Sequence, residues 1–277
     1  MQIRLINNNN INRDSWDNTI DNSNISSPCL KSWYLDKMFP DWEAIVDENY
    51  TMIMPILHPM SIDHFYPYGG IISTNPVYSE HLDQFTEKIP KRISSIKLNP
   101  TNWWLKKGDI YNVNTKQISL EYAQEEILSR FKDDVIIDRD HLNGQILEIK
   151  NIKTIITYLR KSIKTEYNEE ELFTRIENII KFAISNNEGI AIGYINSNNE
   201  LSSLVILLFN QNFIHLFLAI SYSDIDKHQL YQIVAEFIKE NDMSNTIIDI
   251  PSSMNRFVQL SPELIGAFNI RYQKLVE

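Results

Sequence analysis

The sequence predicts an α/β protein of two tandem domains, each a mixed, mostly antiparallel sheet flanked by helices. Three observations carry that prediction. The apolar runs Gly189–Ile195, Leu201–Phe209 and Phe213–Ile220 are joined by the short polar turns Asn196–Glu200 and Asn210–Asn212, the pattern of an antiparallel meander. An amphipathic helix over about residues 227–240 and a buried strand over 245–250 follow it. The first half echoes this order, with a hairpin over 42–57, a helix starting at His81-Leu82, and a strand that stops at Pro100 as the later one stops at Pro251. Matched positions lie roughly 150 residues apart, about one domain length. The charged stretch ending in Asn143-Gly144 sets the expected boundary, giving domains 1–143 and 144–277.

The remaining elements follow in order. Residues 2–6 alternate as a short strand, and Asn12 caps a helix to Ile20 with Trp16 and Ile20 on one face. Ser26-Ser27-Pro28 opens a second helix that Pro40 ends. After the 42–57 hairpin comes Phe65-Tyr-Pro-Tyr-Gly-Gly-Ile-Ile72, a tight loop entering a strand. A helix over 80–89, a strand over 93–98, strands at Trp103–Leu105 and Gln117–Leu120, and a helix over 122–131 complete the first half. A strand over 145–149 and helices over 152–163 and 169–185 lead to the meander.

Composition narrows the function classes. Hydrophobic residues make up 43% of 277, enough for packed cores. The net charge of −10 does not suit a dedicated duplex-DNA binder, which needs phosphate-neutralising Lys and Arg. One cysteine, Cys29, excludes an intrachain disulfide, and the six histidines show no ligand spacing, so no metal is expected. No apolar run approaches the ~20 residues of a membrane helix, and the N-terminus lacks a signal peptide's apolar core. The expectation is a cytoplasmic protein. His215, amid Phe213, Ile214, Leu216 and Phe217, reads first as an exposed strand histidine, and alternatively as one that faces a pocket on the sheet's other side.

By element order over nearly its whole length, and by the stretches Trp42–Ile56, Phe65-Tyr-Pro-Tyr-Gly-Gly-Ile71 and Leu264-Ile-Gly-Ala-Phe268 before Arg271-Tyr272, the chain resembles the FemAB-like branch of the GNAT superfamily. The resemblance implies two GNAT-fold domains and an N-acyltransferase that moves an acyl or aminoacyl group onto a small-molecule or peptide amine. The third of those stretches resembles the family's closing helix and small-residue turn. Acyl-CoA or aminoacyl-tRNA would be the donor, with tRNA then a partner; no firm cofactor is implied. One departure bears on the donor. Where a GNAT enzyme cradles pyrophosphate with a Gly-containing loop at a helix N-terminus, this chain has Ala219–Leu230 with no Gly and with Asp224 and Asp226. That weakens acetyl-CoA, and it equally suits a non-catalytic relative that binds a peptide, a metabolite or a protein.

Within the resemblance, Ala219, Ile220, Ser221 and His228 fall near the donor, where a free strand-end N–H would serve as oxyanion donor. Tyr66, Tyr68, Gly69 and Gly70 fall near the acceptor. Acyl transfer to an amine also needs a base for the amine proton, and the candidates are Asp249 and Glu188, with Tyr272 to protonate the leaving group. Trp103-Trp104 with Lys106-Lys107 combine aromatic and basic residues, and Arg160-Lys161 with Lys164 add basic ones, of the kind that stack bases and hold phosphates of single-stranded nucleic acid.

Overall fold

A computed structural model describes residues 2–58, 65–93, 95–99, 101–102, 110–122, 124–131, 144–163, 169–223, 226–241, 245–250, 254–265 and 267–276. In chain order the elements are β1 (Ile3–Asn7), α1 (Arg13–Asp21), α2 (Ser32–Met38), β2 (Glu43–Asp47), β3 (Met52–Ile56), β4 (Ile72–Ser73), α3 (Ser79–Thr86), β5 (Ser95–Lys97), β6 (Ile110–Ser119) and α4 (Gln124–Ser129). There follow β7 (Gln145–Glu148), α5 (Ile152–Ser162), α6 (Glu170–Ser185), β8 (Gly189–Ile195), β9 (Leu201–Asn210), β10 (Phe213–Ser221), α7 (Lys227–Glu240), β11 (Ile247–Ile250) and β12 (Phe268–Val276). Two compact units divide the chain, Met1–Thr115 with Ile270–Glu277, and Lys116–Asn269. The expected boundary at 143/144 falls inside the second of these. Among the described residues no helix is long and apolar enough to cross a membrane.

The first unit holds a four-stranded antiparallel sheet in the order β1-β2-β3-β4, and β5 pairs antiparallel with β12. Helix α1 starts where the sequence places it, because the Asn12 side chain accepts the Ser15 N–H at 3.1 Å. The second helix is shorter than expected. Pro28–Leu30 form a 3-10 turn, Lys31 is extended (ψ 145), and α2 starts only at Ser32, whose N–H and hydroxyl the Asp17 carboxylate accepts.

The second unit carries the sheet order β6-β11-β10-β9-β8-β7. The meander is confirmed, β8 to β9 and β9 to β10 being antiparallel, while β11 runs parallel to β10 after the α7 crossover. Leu230, Ile233, Val234, Phe237 and Ile238 of α7 bury against Val205, Leu207, Ile214, Leu216, Ile248 and Ile250, each worth about 1.5–3 kcal/mol of apolar burial. Side chains alternate faces along a strand, so Ile214 and Leu216 meet α7 while His215 faces the other way. A register shift between Leu216 and Leu218 then flips the parity, and Ala219 is the next β10 residue in the α7-side core. Of the closing helix and small-residue turn expected over 264–268, the described residues show the turn and no helix. Residues 262–265 form a turn, with the Ala267 N–H donating to Pro262 O at 3.1 Å, and β12 starts at Phe268. The expected strand at Trp103–Leu105 lies outside the described residues.

Candidate functional site

Two buried polar residues of the second unit, His215 and Asp249, meet the half-buried Gln117 in one row across three strands. Parallel pairing of β10 with β11 sets His215 beside Asp249, and antiparallel pairing of β11 with β6 sets Asp249 beside Gln117. The Asp249 carboxylate lies 3.2 Å from His215 Nδ1 through Oδ2 and accepts from Gln117 Nε2 at 3.3 Å through Oδ1. His215 is only 8% exposed and Asp249 5%. The exposed histidine expected from the sequence is therefore a buried one, because β9 and β11 flank it and the apolar run around it lies inside the unit. An aspartate on Nδ1 fixes the tautomer with the proton there and puts the basic lone pair on Nε2. An imidazole oriented by a carboxylate has the arrangement that general-base chemistry uses.

Directly past this row β10 leaves β11. The vacated edge is taken by residues 257–259, with the Ala219 N–H donating to Phe257 O at 2.9 Å and the Gln259 N–H donating to Ala219 O at 2.8 Å. The Ser221 N–H donates to Gln259 Oε1 at 3.0 Å. The expectation of a free backbone N–H along Ala219–Ser221 is thus corrected for both of these residues. The cause is local. Asn255 Oδ1 accepts from the N–H groups of Phe257 and Val258, folding the segment back, and Phe257, Val258 and Leu260 are fully buried.

At the start of α7 the Asp226 carboxylate accepts from Ser223 Oγ at 2.7 Å and from Gln229 Nε2 at 3.1 Å. Gln229 Oε1 in turn accepts from the hydroxyls of Ser202 and Ser203. The N-cap position of α7 therefore carries a carboxylate, held by neighbouring side chains, and no Gly-rich anion-binding loop. His228 stands on the first turn of α7, half-buried. Asp224 lies outside the described residues. Close by, the Tyr158 hydroxyl donates to Ser202 O at 2.6 Å and reaches Ile220 O at 3.3 Å. Burial pushes the Tyr158 phenol well above its usual range, and the Asp226 charge adds to that; burial and the same charge also raise Tyr194.

The other predicted residues are dispersed. Glu188 precedes β8, three strands from Asp249, or about 14 Å at the usual ~4.8 Å spacing, so the fold does not bring the two carboxylates together. Tyr272 lies on β12, and its side chain is outside the described residues, as are Trp103, Trp104, Lys106, Lys107 and Lys164. In the first unit Gly69 and Gly70 are buried in a turn, the Gly69 N–H donating to Lys97 O at 2.6 Å and Asn99 Nδ2 donating to Gly69 O at 3.1 Å. Gly70 has φ +76, and a Cβ there would fall on the Asn102 amide oxygen. Tyr66 donates to His58 O and packs edge-on against Phe39, and Tyr68 is half-buried. His215 and Gln117 are the members that sequence reasoning missed. The available signal was a polar residue third in each of two short apolar strands, Phe213-Ile-His215 and Ile247-Ile-Asp249, but only the parallel register aligns them.

No protein-family model matches the sequence, and no curated protein is similar to it. By shape the chain is similar to the crystal structure of FemX, with a TM-score of 0.59 at 10% identity over 99% of this chain and 97% of that one. It is also similar to a conserved protein of unknown function from Bacteroides thetaiotaomicron VPI-5482 (0.56, 10% identity, 96% of each chain). A tandem GNAT protein from the clavulanic acid biosynthesis pathway follows (0.50, 8% identity, 99% and 98%). The fold is GNAT-like. At such identities the likeness speaks for the fold alone, and the site has to be read from its own chemistry.

Proposed function

We propose that the chain is an N-acyltransferase of the FemAB-like kind that moves an aminoacyl or acyl group from an ester onto an amine, with His215 and Asp249 as its base pair. The observation that carries this reading is the buried imidazole–carboxylate contact at the point where β10 parts from β11. In the step, the amine nitrogen attacks the ester carbonyl, the new N–C bond forms, and the C–O bond breaks. His215 Nε2 takes one proton from the amine and returns one to the leaving oxygen. Asp249 holds the ring and stabilises the imidazolium without itself being protonated. General-base help of this sort contributes roughly 10²–10⁴-fold. The engaged N–H groups of Ala219 and Ser221 and the Asp226 carboxylate at the start of α7 favour an aminoacyl ester such as aminoacyl-tRNA over acyl-CoA.

The same engaged groups favour a second reading, a non-catalytic binding protein of the same fold. Incubation of the purified chain with tRNA carrying labelled amino acids, and separately with acetyl-CoA, against a panel of peptide and small-molecule amines decides between them. Amide product from aminoacyl-tRNA, followed by mass spectrometry, is the expected result. Product from acetyl-CoA alone overturns the donor assignment, and no product from either donor with a folded protein leaves the binding role.

A further inference from the structure

The structure assigns Gln117 as the positioning residue of the His215–Asp249 pair, an inference that rests on the reading of that pair as a base. The strand register sets the three side chains in line. His215 pairs with Asp249 across β10 and β11, and Asp249 pairs with Gln117 across β11 and β6, so all three project from one face of the sheet. Their neighbours Ile118, Ile214, Ile248 and Ile250 project from the other face, into the core under α7. On β9 the same cross-strand line continues with Leu208, fully buried and apolar. Leucine offers an imidazole no hydrogen bond, so the line is polar on the β11 side of His215.

The chemistry of the row fixes which protons go where. Asp249 Oδ2 lies 3.2 Å from His215 Nδ1, and Asp249 Oδ1 accepts from Gln117 Nε2 at 3.3 Å. A carboxyl group that accepts at both oxygens is the ionised form, because a protonated one would donate from one of them. Gln117 enforces this state. Its amide nitrogen can only donate, so Oδ1 cannot carry a proton toward it. With the carboxylate ionised, the ring proton stays on Nδ1 and the lone pair stays on Nε2. Gln117 also pins Oδ1, and with it the rotation of the carboxylate that presents Oδ2 to the ring. A bond of 3.3 Å is long, as hydrogen bonds around a base often are before substrate binds. Without the Gln117 donor the carboxylate is free to turn, and the tautomer is no longer held. The side chain is half-buried, so its replacement opens no cavity in the core.

Nitrogen-15 NMR of His215, at a pH where the ring is neutral, tests this, since the protonated and the bare ring nitrogen resonate far apart. The parent should carry the proton on Nδ1. Gln117→Leu removes the donor and Gln117→Asn withdraws it by one methylene, and both should give the averaged shifts of mixed tautomers. Gln117→Lys restores a donor with enough reach and should return the parent signature. In single-turnover transfer to an amine, the Leu and Asn variants should lose roughly ten- to a hundredfold, the scale of one hydrogen bond to a charged group, and the Lys variant should recover most of it. Unfolding midpoints recorded beside the spectra identify the folded variants. A parent with the proton on Nε2, or an intact Nδ1 tautomer in folded Gln117→Leu or Gln117→Asn, would overturn the assignment. The predicted shifts in a chain that transfers nothing would support Gln117 in this role and count against the transfer reading alone.

Discussion

Tyr158→Phe removes one oxygen and leaves the ring, and the structure sets both the size of its effect and its pH dependence. The phenol O–H donates to Ser202 O at 2.6 Å and lies 3.3 Å from Ile220 O. A buried carbonyl left unsatisfied costs about 1–3 kcal/mol, but Ser202 O keeps a second donor, the Tyr222 N–H at 2.9 Å. The loss should therefore sit near the low end, about 1 kcal/mol at pH 7. The pH arm follows from the raised phenol. In the unfolded chain Tyr158 ionises near pH 10, whereas burial and Asp226 hold it protonated to a higher pH in the folded protein. Its contribution is then complete below pH 10 and declines as the pH rises past that value toward the folded-state pKa. Urea unfolding of both proteins at pH 7, 9, 10.5 and 11.5 measures this. The stability gap should stay near 1 kcal/mol to pH 9 and then shrink. A gap that is absent at pH 7, or that does not change with pH, would refute the assignment of the hydroxyl as a buried donor.

Three further outcomes are expected. Gly70→Ala forces a positive φ on a residue with a Cβ and displaces the Asn102 amide that grips both polar groups of Ile71, so chemical denaturation should show a loss of about 3 kcal/mol. Asn255→Ala removes the acceptor that folds residues 255–259 onto β10, and hydrogen exchange at the Ala219 amide should accelerate at least tenfold; an unchanged rate would show that the buried Phe257 and Val258 hold the segment alone. The Glu263 carboxyl is held below its usual range by its backbone hydrogen bond, with Lys116 and Ser261 assisting. Its small stabilisation is present above pH ~4.3 and fades as the pH falls toward the folded-state value. Glu263→Gln should accordingly flatten the acid limb of a stability-versus-pH curve and leave pH 7 to 9 parallel to the parent.

The elements readable from the sequence are those whose signal is local. The meander announces itself through apolar runs and polar turns, α1 through its Asn12 cap, and α7 through its periodicity. What escaped depends on partners far along the chain. His215 reads as an exposed strand residue until β11, 34 residues later, returns parallel and brings Asp249 to it. Gln117 joins the row from 132 residues before Asp249. The Ala219 N–H reads as a strand-end donor until the Asn255 turn carries Phe257 to it. Pro28 reads locally as the first turn of the second helix, but Lys31 breaks the backbone direction and Asp17, 15 residues before Ser32, supplies the cap at which α2 starts. Gly69 and Gly70 read from the sequence as acceptor-side residues, and their geometry answers to the turn that Asn99 and Asn102 hold.

The central claim is that His215 and Asp249 act together as the base in transfer to an amine. Single-turnover aminoacyl transfer by the parent, Asp249→Asn and His215→Gln, with unfolding midpoints recorded beside the rates, tests it most directly. The account predicts that each variant folds and loses roughly 10²–10⁴-fold in rate, and that the double variant loses little more than either alone, because the pair works as a unit. Parent-like rates in either folded variant, or losses that multiply in the double variant, would contradict it.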